Sequence, residues 1–320
     1  MVAMRKKVVL AAPRGYCAGV DRAVQIVERA LDTVGAPVYV RKEIVHNRHV
    51  VEELQKRGAI FVESEQEIPE GATCVFSAHG VSPEVRRNAD ARNLRVIDAT
   101  CPLVTKVHLE AKRFVRDGRR IVLVGHEGHE EIEGTAGEAP DSTMVIERPE
   151  QIDELGIDSN EPIAYLTQTT LSVDDTLNVV EALRGRFSDI SGPRSDDICY
   201  ATQNRQVAVK AIAPECDVVL IVGAFNSSNS NRLVEVARSL GTPAHLVPDE
   251  THLDPTWLDG AETVGVSSGA SAPEVLVDRL LKRLSEMGYG QVETREITTE
   301  DVTFSLPPWL RDEAEMPPVS

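Results

Sequence analysis

Short β-rich runs alternate with amphipathic helical stretches along almost the whole chain, and this alternation constrains the fold more than any other feature. A strand followed by a helix and then another strand is the syntax of the βαβ unit, which builds parallel sheets covered by helices. Strands are predicted at residues 8–12, 60–62, 74–77, 95–98, 121–124, 163–166, 218–222 and 264–266. Helices are predicted at 20–33, 48–57, 102–116, 173–186, 205–213, 231–240 and 273–287. The fold class is therefore α/β. In such folds polar residues gather at strand-to-helix turns, where ligands bind beyond the carboxyl ends of the strands.

Three of those turns carry a cysteine: Cys17 in VVLAAPRGYCAGVDRAV, Cys101 in LRVIDATCPLVTKV and Cys199 in SDDICYATQNRQV. Pro102 suits a first helical position, so Cys101 is expected at a helix cap, where the helix dipole favours thiolate. Three thiolates around one point suggest a metal cluster; iron-sulfur clusters usually take four cysteines, so three would leave one iron open to chemistry. Cys74 in TCVFSA and Cys216 before DVVLIVG read as core thiols. Five cysteines form no even disulfide set, and neither a signal peptide nor an apolar run long enough to span a membrane is evident, which predicts a cytoplasmic protein with no membrane partner.

The 320 residues allow two domains or three small ones, and the strand, cysteine turn and helix syntax recurs weakly three times. The predicted division is a first lobe over 18–101, a second over 102–195, a third over 196–300 joined by 1–17, and a C-terminal tail over 301–320. The tail carries Pro307, Pro308, Pro317 and Pro318 and reads as wrapping or frayed, and 138–160 reads as a variable acidic stretch. A formal charge of −17 argues against nucleic acid as a partner, and an anionic ligand would have to be held by local features.

Such features recur at the remaining turns: His46 in EIVHNRHV, His79 in FSAHGVS, His126 and His129 in VGHEGHEEIEGT, and Thr169 and Thr170 in LTQTTLS. GAFNSSNSNR adds Asn226, Ser227, Ser228 and Asn229, and GVSSGASAPE adds Ser267, Ser268 and Ser271. Hydroxyls, amides and imidazoles at helix starts suggest a phosphorylated small molecule, although a single Ser or Asn there is often a simple cap. HEEIE has Glu133 where a zinc hydrolase has its second histidine, and no P-loop is present. Glu131 beside His129 is a candidate proton donor, and Arg14 near Cys17 is either a fixed positive charge or a surface residue.

The strings PRGYCAGVDRAV, EIVHNRHVVEELQKRGAIFVE, FSAHGVSPEVR, DATCPLVTKVH, LTQTTLSVDDT, DDICYATQNRQ, NSSNSNRL and GASAPE closely resemble the LytB family of 4-hydroxy-3-methylbut-2-enyl diphosphate reductases, in consistent order from about Leu10 to about Leu280. The resemblance implies three pseudo-equivalent α/β lobes with small, mostly parallel sheets, arranged as a trefoil around one 4Fe-4S cluster. It implies that Cys17, Cys101 and Cys199 hold that cluster with a fourth iron open, and that His46, His79, His129, Ser227, Ser228, Asn229 and Ser271 bind the diphosphate. Glu131 and Thr169 would be catalytic, with Glu131 the acid. The implied reaction is a two-electron reductive dehydroxylation giving isopentenyl and dimethylallyl diphosphates, the last step of the non-mevalonate isoprenoid pathway, with ferredoxin or flavodoxin as electron donor. Glu130 departs from the family pattern, which has proline there. The rival readings are a lyase with a similar cluster, which would need no reductant, a cluster-bearing sensor, and a protein in which the three cysteines are buried core thiols and no cluster is held.

Overall fold

The computed structural model describes residues 6–311. Pro317, Pro318 and most of the N-terminal leader lie outside that range. Among the described residues all strand pairings are parallel, in three sheets of five, four and four strands. Among the described residues no helix is long and apolar enough to cross a membrane.

The chain divides into two compact units. The first joins residues 1–17, 170–172 and 198–302. Its sheet has the order β11-β10-β12-β1-β13, with β1 at Lys7–Ala12, β10 at Val218–Val222, β11 at Ala244–Val247, β12 at Thr263–Ser268 and β13 at Gln291–Glu296. Leu10, Val266 and Leu220 lie side by side across three neighbouring strands. That row packs on Leu276, Val277, Leu280 and Leu284 of α9 (Glu274–Glu286). Val219 and Ile221, on the opposite face, pack on α7 (Tyr200–Ile212) and α8 (Ser228–Ser239). Both faces are thus covered, which explains why β10 reads as an unbroken apolar run. Each buried aliphatic side chain contributes about 1.5–3 kcal/mol.

The second unit holds residues 18–169, 173–197 and 303–320. One sheet has the order β3-β2-β4-β5, with β2 at Val38–Arg41, β3 at Ala59–Val62, β4 at Thr73–Phe76 and β5 at Arg95–Asp98. The other has the order β7-β6-β8-β9, with β6 at Arg120–Val124, β7 at Thr143–Ile146, β8 at Ile163–Thr167 and β9 at Ile190–Ser191. Helices α1 (Ala18–Val34), α2 (Arg48–Lys56), α3 (Pro83–Ala91), α4 (Pro102–Arg116), α5 (Glu130–Ala136) and α6 (Val173–Arg186) complete it. Val107, Ala111 and Phe114 of α4 pack on Ile121, Leu123 and Leu166.

Helix starts obey local chemistry. Asn47 caps α2 by accepting from the Val50 N–H, and Ser82 caps α3 just before Pro83. Cys101 and Cys199 occupy the cap positions of α4 and α7, as Pro102 led us to expect for the first. Beyond Asp301, the tail carries a short 3-10 turn at Pro308–Leu310 with Leu310 buried, and Arg22 of α1 donates to the Ser305 carbonyl. Five strands (β2, β7, β9, β11, β13) and two helices (α3, α5) were not expected from sequence, and the stretch 138–160 contains β7.

Candidate active site

In the second unit, the turns that follow β2, β4 and β6 bring His46, His79 and His129 together. The His46 and His79 rings stack with centroids 4.1 Å apart, and the His129 ring stands edge-on to both at 5.3 and 5.7 Å. Gly80, at φ +80°, makes the turn after His79 possible. A side chain there would press on His108, Thr100 and Val104 at 3.1–3.2 Å, so both the conformation and the space require glycine.

Each imidazole is oriented differently. His46 Nδ1 lies 3.1 Å from Glu43 Oε2. His79 Nδ1 lies 3.3 Å from Glu130 Oε2, an ion-pair distance without hydrogen-bond alignment, and Ser77 Oγ donates to the same carboxylate oxygen at 3.3 Å. His129 caps α5, its Nδ1 accepting from the Glu131 N–H at 3.2 Å. A neutral ring in that arrangement carries its proton on Nε2. Burial, reinforced by His79 and His46, pushes His129 down to about 3, so it is neutral near pH 7. Burial and His79 also lower His46, against the opposing pull of Glu43 and Glu130. For Glu130 burial acts upward, but His79, His46 and Lys42 outweigh it and hold the carboxyl below its usual range.

Glu131 is buried, and both its carboxyl oxygens face Thr169. The Thr169 N–H donates to Oε1 at 2.6 Å and the Thr169 hydroxyl to Oε2 at 3.0 Å. Burial lifts the carboxyl to about 7, because the two Thr169 bonds and the nearby His108 recover only part of the lost hydration and Asp197 adds repulsion. A carboxyl poised there exchanges a proton readily at neutral pH. Asp197 is itself lifted to about 6 by burial, although Lys106 stands 3.1 Å away and the Thr167 N–H donates to it.

The first unit carries Cys17, Cys199 and the serine- and asparagine-rich turn. Thr202 ties to Cys199, its N–H donating to Sγ at 3.3 Å and its hydroxyl lying 3.1 Å from the same sulfur. Asn229, buried, links the turns: its Nδ2 donates to Thr202 Oγ1 at 3.2 Å and its Oδ1 accepts from the Ala270 N–H at 2.8 Å. The Ala270 carbonyl in turn accepts from the Cys17 N–H at 3.2 Å. Ser227 caps α8, and Ser228 Oγ accepts from the Thr170 hydroxyl at 3.1 Å. Ser271 is buried beside these turns, whereas Ser267 and Ser268 are buried inside β12.

Arg205 escaped the sequence reading. It is fully buried and donates to the carbonyls of Gly15, Tyr16 and Ala201, with Glu300 as its counter-charge. It thereby clamps the turn leading to Cys17 onto the helix that Cys199 caps. Arg14 pairs with Glu274 and donates to the Ala11 carbonyl, so its charge is compensated.

The cysteines separate into two kinds. Burial pushes Cys74 and Cys216 up to about 12, which keeps both as thiols, Cys74 buried in the core and Cys216 half-buried and packed against it. Cys17, Cys101 and Cys199 are half-buried and unbridged, at turns that lead into helices. Such a set of soft donors at helix starts fits thiolate ligation of iron.

The sequence matches the LytB protein family over residues 8–285. A relative from Mycobacterium sp. (strain JLS), described as 4-hydroxy-3-methylbut-2-enyl diphosphate reductase, is 62% identical over 307 residues, covering 96% of this chain and 92% of its own. One of the same description from Nocardia farcinica (strain IFM 10152) is 60% identical over 307 residues, covering 96% and 91%. The solved structure of the E-1-hydroxy-2-methyl-but-2-enyl-4-diphosphate reductase from Plasmodium falciparum superposes with a TM-score of 0.90 at 37% identity, covering 95% of both chains. A second solved structure, of (E)-4-hydroxy-3-methyl-but-2-enyl diphosphate reductase, described as the terminal enzyme of the non-mevalonate pathway, gives 0.63 at 32% identity, covering 88% of this chain and 99% of its own.

Proposed function

Because this chain belongs to the LytB family, we infer that it reduces 4-hydroxy-3-methylbut-2-enyl diphosphate, as the terminal enzyme of the non-mevalonate pathway. The reaction removes the 4-hydroxyl as water, consuming two electrons and two protons and leaving isopentenyl or dimethylallyl diphosphate. The observation that carries the reading at the level of chemistry is the buried Glu131 carboxyl, lifted to about 7 and held by Thr169 in the same unit as three clustered imidazoles.

In this proposal Cys17, Cys101 and Cys199 hold a 4Fe-4S cluster with one iron free of cysteine. When bound, that cluster supplies electrons one at a time, received from ferredoxin or flavodoxin. The protein's residues bind, orient and protonate. His46, His79 and His129 take the diphosphate together with Ser227, Ser228, Asn229 and Ser271. His129 offers a neutral Nε2–H donor, while His46, held down by burial and His79, acquires charge more readily once an anion faces it. The Thr169 hydroxyl orients the substrate hydroxyl, and Glu131 delivers the proton that lets it depart as water. A reducing cytoplasm suits three unbridged ligand thiols.

The test is anaerobic turnover with and without a reductant. Substrate consumption should need the reductant and yield both five-carbon diphosphates. Cys101→Ser should lose both cluster absorbance and activity, while Cys74→Ser keeps both. Turnover without reductant would place the chain among the lyases, and full activity in iron-free protein would overturn the reading.

A further inference from the structure

Helix α4, the turn after it and the first residue of β6 carry six basic residues, Lys106, Lys112, Arg113, Arg116, Arg119 and Arg120, against Glu110 and Asp117, within a chain of formal charge −17. Thr105, Leu109, Lys112 and Arg116 recur at helical spacing and are all exposed, so they form the outward face of α4. Leu109 lies in the middle of that face, 60% exposed. A depression of about 430 Å³ is lined by Pro102, the residue next to Cys101, and by Lys106, Leu109, Glu110, Arg113, Arg116 and Arg194.

The charges of this face are only partly neutralised within the unit. Lys106 is held by Asp197, Arg113 by Glu110, Lys112 by Glu138, Arg119 by Asp189 and Arg120 by Glu161. Arg116 and Arg194 have no ion pair among the described residues, and the exposed acids nearest in sequence are Asp117 and Asp196. An exposed aliphatic side chain with a mainly basic rim, Lys106, Arg113, Arg116 and Arg194 against Glu110, has the anatomy of a small protein interface, with an apolar centre and a polar rim.

Resting on the reductase reading, we propose that this outward face of α4 is the docking surface for a small acidic protein that carries one electron at a time. The reaction consumes two electrons per turnover, so such a carrier binds twice, is oxidised by one electron each time and leaves. An acidic partner is repelled by most of a chain this negative, and it is steered to the face where the sign reverses. Nucleic acid fits less well, because phosphate contacts need a long basic stripe and this face is one helix long. The N-cap of α4 is Cys101, a proposed cluster ligand, so a carrier seated on the first turns stands beside the point where electrons enter.

The experiment compares reduced ferredoxin with reduced methyl viologen as electron source for the cluster-loaded enzyme. Arg116→Glu combined with Arg194→Glu should raise the KM for ferredoxin about 10-fold or more and flatten its dependence on salt, while turnover with methyl viologen stays within about twofold. Leu109→Ser should raise the same KM by a smaller factor. An unchanged KM for ferredoxin would overturn the proposal. So would equal losses with both reductants in the Glu variants and in the milder Arg116→Gln and Arg194→Gln, since that signals a structural fault. If the variants lose retention of duplex DNA while ferredoxin kinetics hold, the face belongs to nucleic acid and the proposal also fails. Wild-type enzyme inert with both reductants would instead defeat the reductase reading itself.

Discussion

The histidine corner of the second unit and the serine-asparagine turn of the first, both proposed to bind phosphate, are built from different chemistry. The turn consists of hydroxyls, amides and backbone N–H groups at the start of α8, braced by Asn229 through neutral hydrogen bonds. The corner consists of three imidazoles and two carboxylates, Glu43 and Glu130, whose charges depend on one another. Fixed dipoles bind an anion equally well at every pH, whereas an imidazole corner binds best where it can gain a proton. The comparison teaches that two polar clusters in one chain can differ in kind, one of fixed dipoles and one of mutually dependent charges, with the buried Glu131 carboxyl in the same unit as the second.

The sharpest way to break this contrast is to remove the proton. Glu131→Gln should lower kcat by about 10²–10⁴ with little change in KM, the usual contribution of a positioned acid. For wild type, activity should fall as pH rises through about 7, where Glu131 loses its proton. The stability linkage has the same sign. A carboxyl whose folded value lies above its unfolded one binds more protons in the folded state, so wild type loses stability as pH rises from about 4.5 to about 7. Glu131→Gln cannot ionise, and its melting temperature should gain on wild type between pH 5 and pH 8; a constant gap would refute the raised carboxyl.

Next in size is the scaffold beneath the dipole turn. Arg205→Met should cost about 3 kcal/mol or more in denaturant titrations, because Glu300 and the Gly15 carbonyl are left without their buried donor. Arg205→Lys should recover little of this, since one ammonium cannot reproduce a guanidinium fork.

A smaller effect tests the two clusters directly. Asn229→Ala should raise KM about 10-fold by the same factor at pH 6 and pH 8, through loss of hydrogen bonds that carry no charge. Against this, His46→Gln should raise KM more at pH 6 than at pH 8, since burial and His79 hold its imidazole below the usual range and it is charged only at the acid end. Equal pH dependence in the two variants would erase the distinction.

The smallest change is Glu130→Pro. His129 already has φ −74° and ψ 135°, the conformation a residue before proline adopts, and residue 130 is the first of α5. The variant should fold within about 1 kcal/mol of wild type. It should bind diphosphate two- to threefold more tightly, roughly the effect of removing one carboxylate beside His79.

Legibility followed periodicity. The apolar run of β10 and the stripe of α4 announced themselves, and Pro102 after Cys101 marked a helix cap that the structure contains. Segments without a pattern went unseen. Strand β13, QVETRE, is almost wholly exposed and polar, and it is a strand only because it pairs with β1 along its whole length. Helix α5, EEIEGTA, has seven residues, one of them glycine, too few for an apolar stripe to show. Helix α7 begins at Tyr200 rather than Arg205 because Cys199 caps it, a role for which cysteine gives little sequence signal. Of the candidate site, the histidines, Glu131 and the cysteines stand out in sequence as residue types at strand-to-helix turns. The pairing of His46 with Glu43 could have been suspected from a spacing of three, whereas nothing in the string distinguished Arg205 from a surface cation.

By itself the sequence determined that parallel sheets would form and where their polar turns would fall, because strand and helix periods and cap residues are local properties of the chain. Only the tertiary structure decided which carboxyl keeps its proton, which thiols stay in the core and which arginine is a clamp. Those outcomes depend on how much water is excluded around each group and which distant partner replaces it, and neither quantity is written in neighbouring residues.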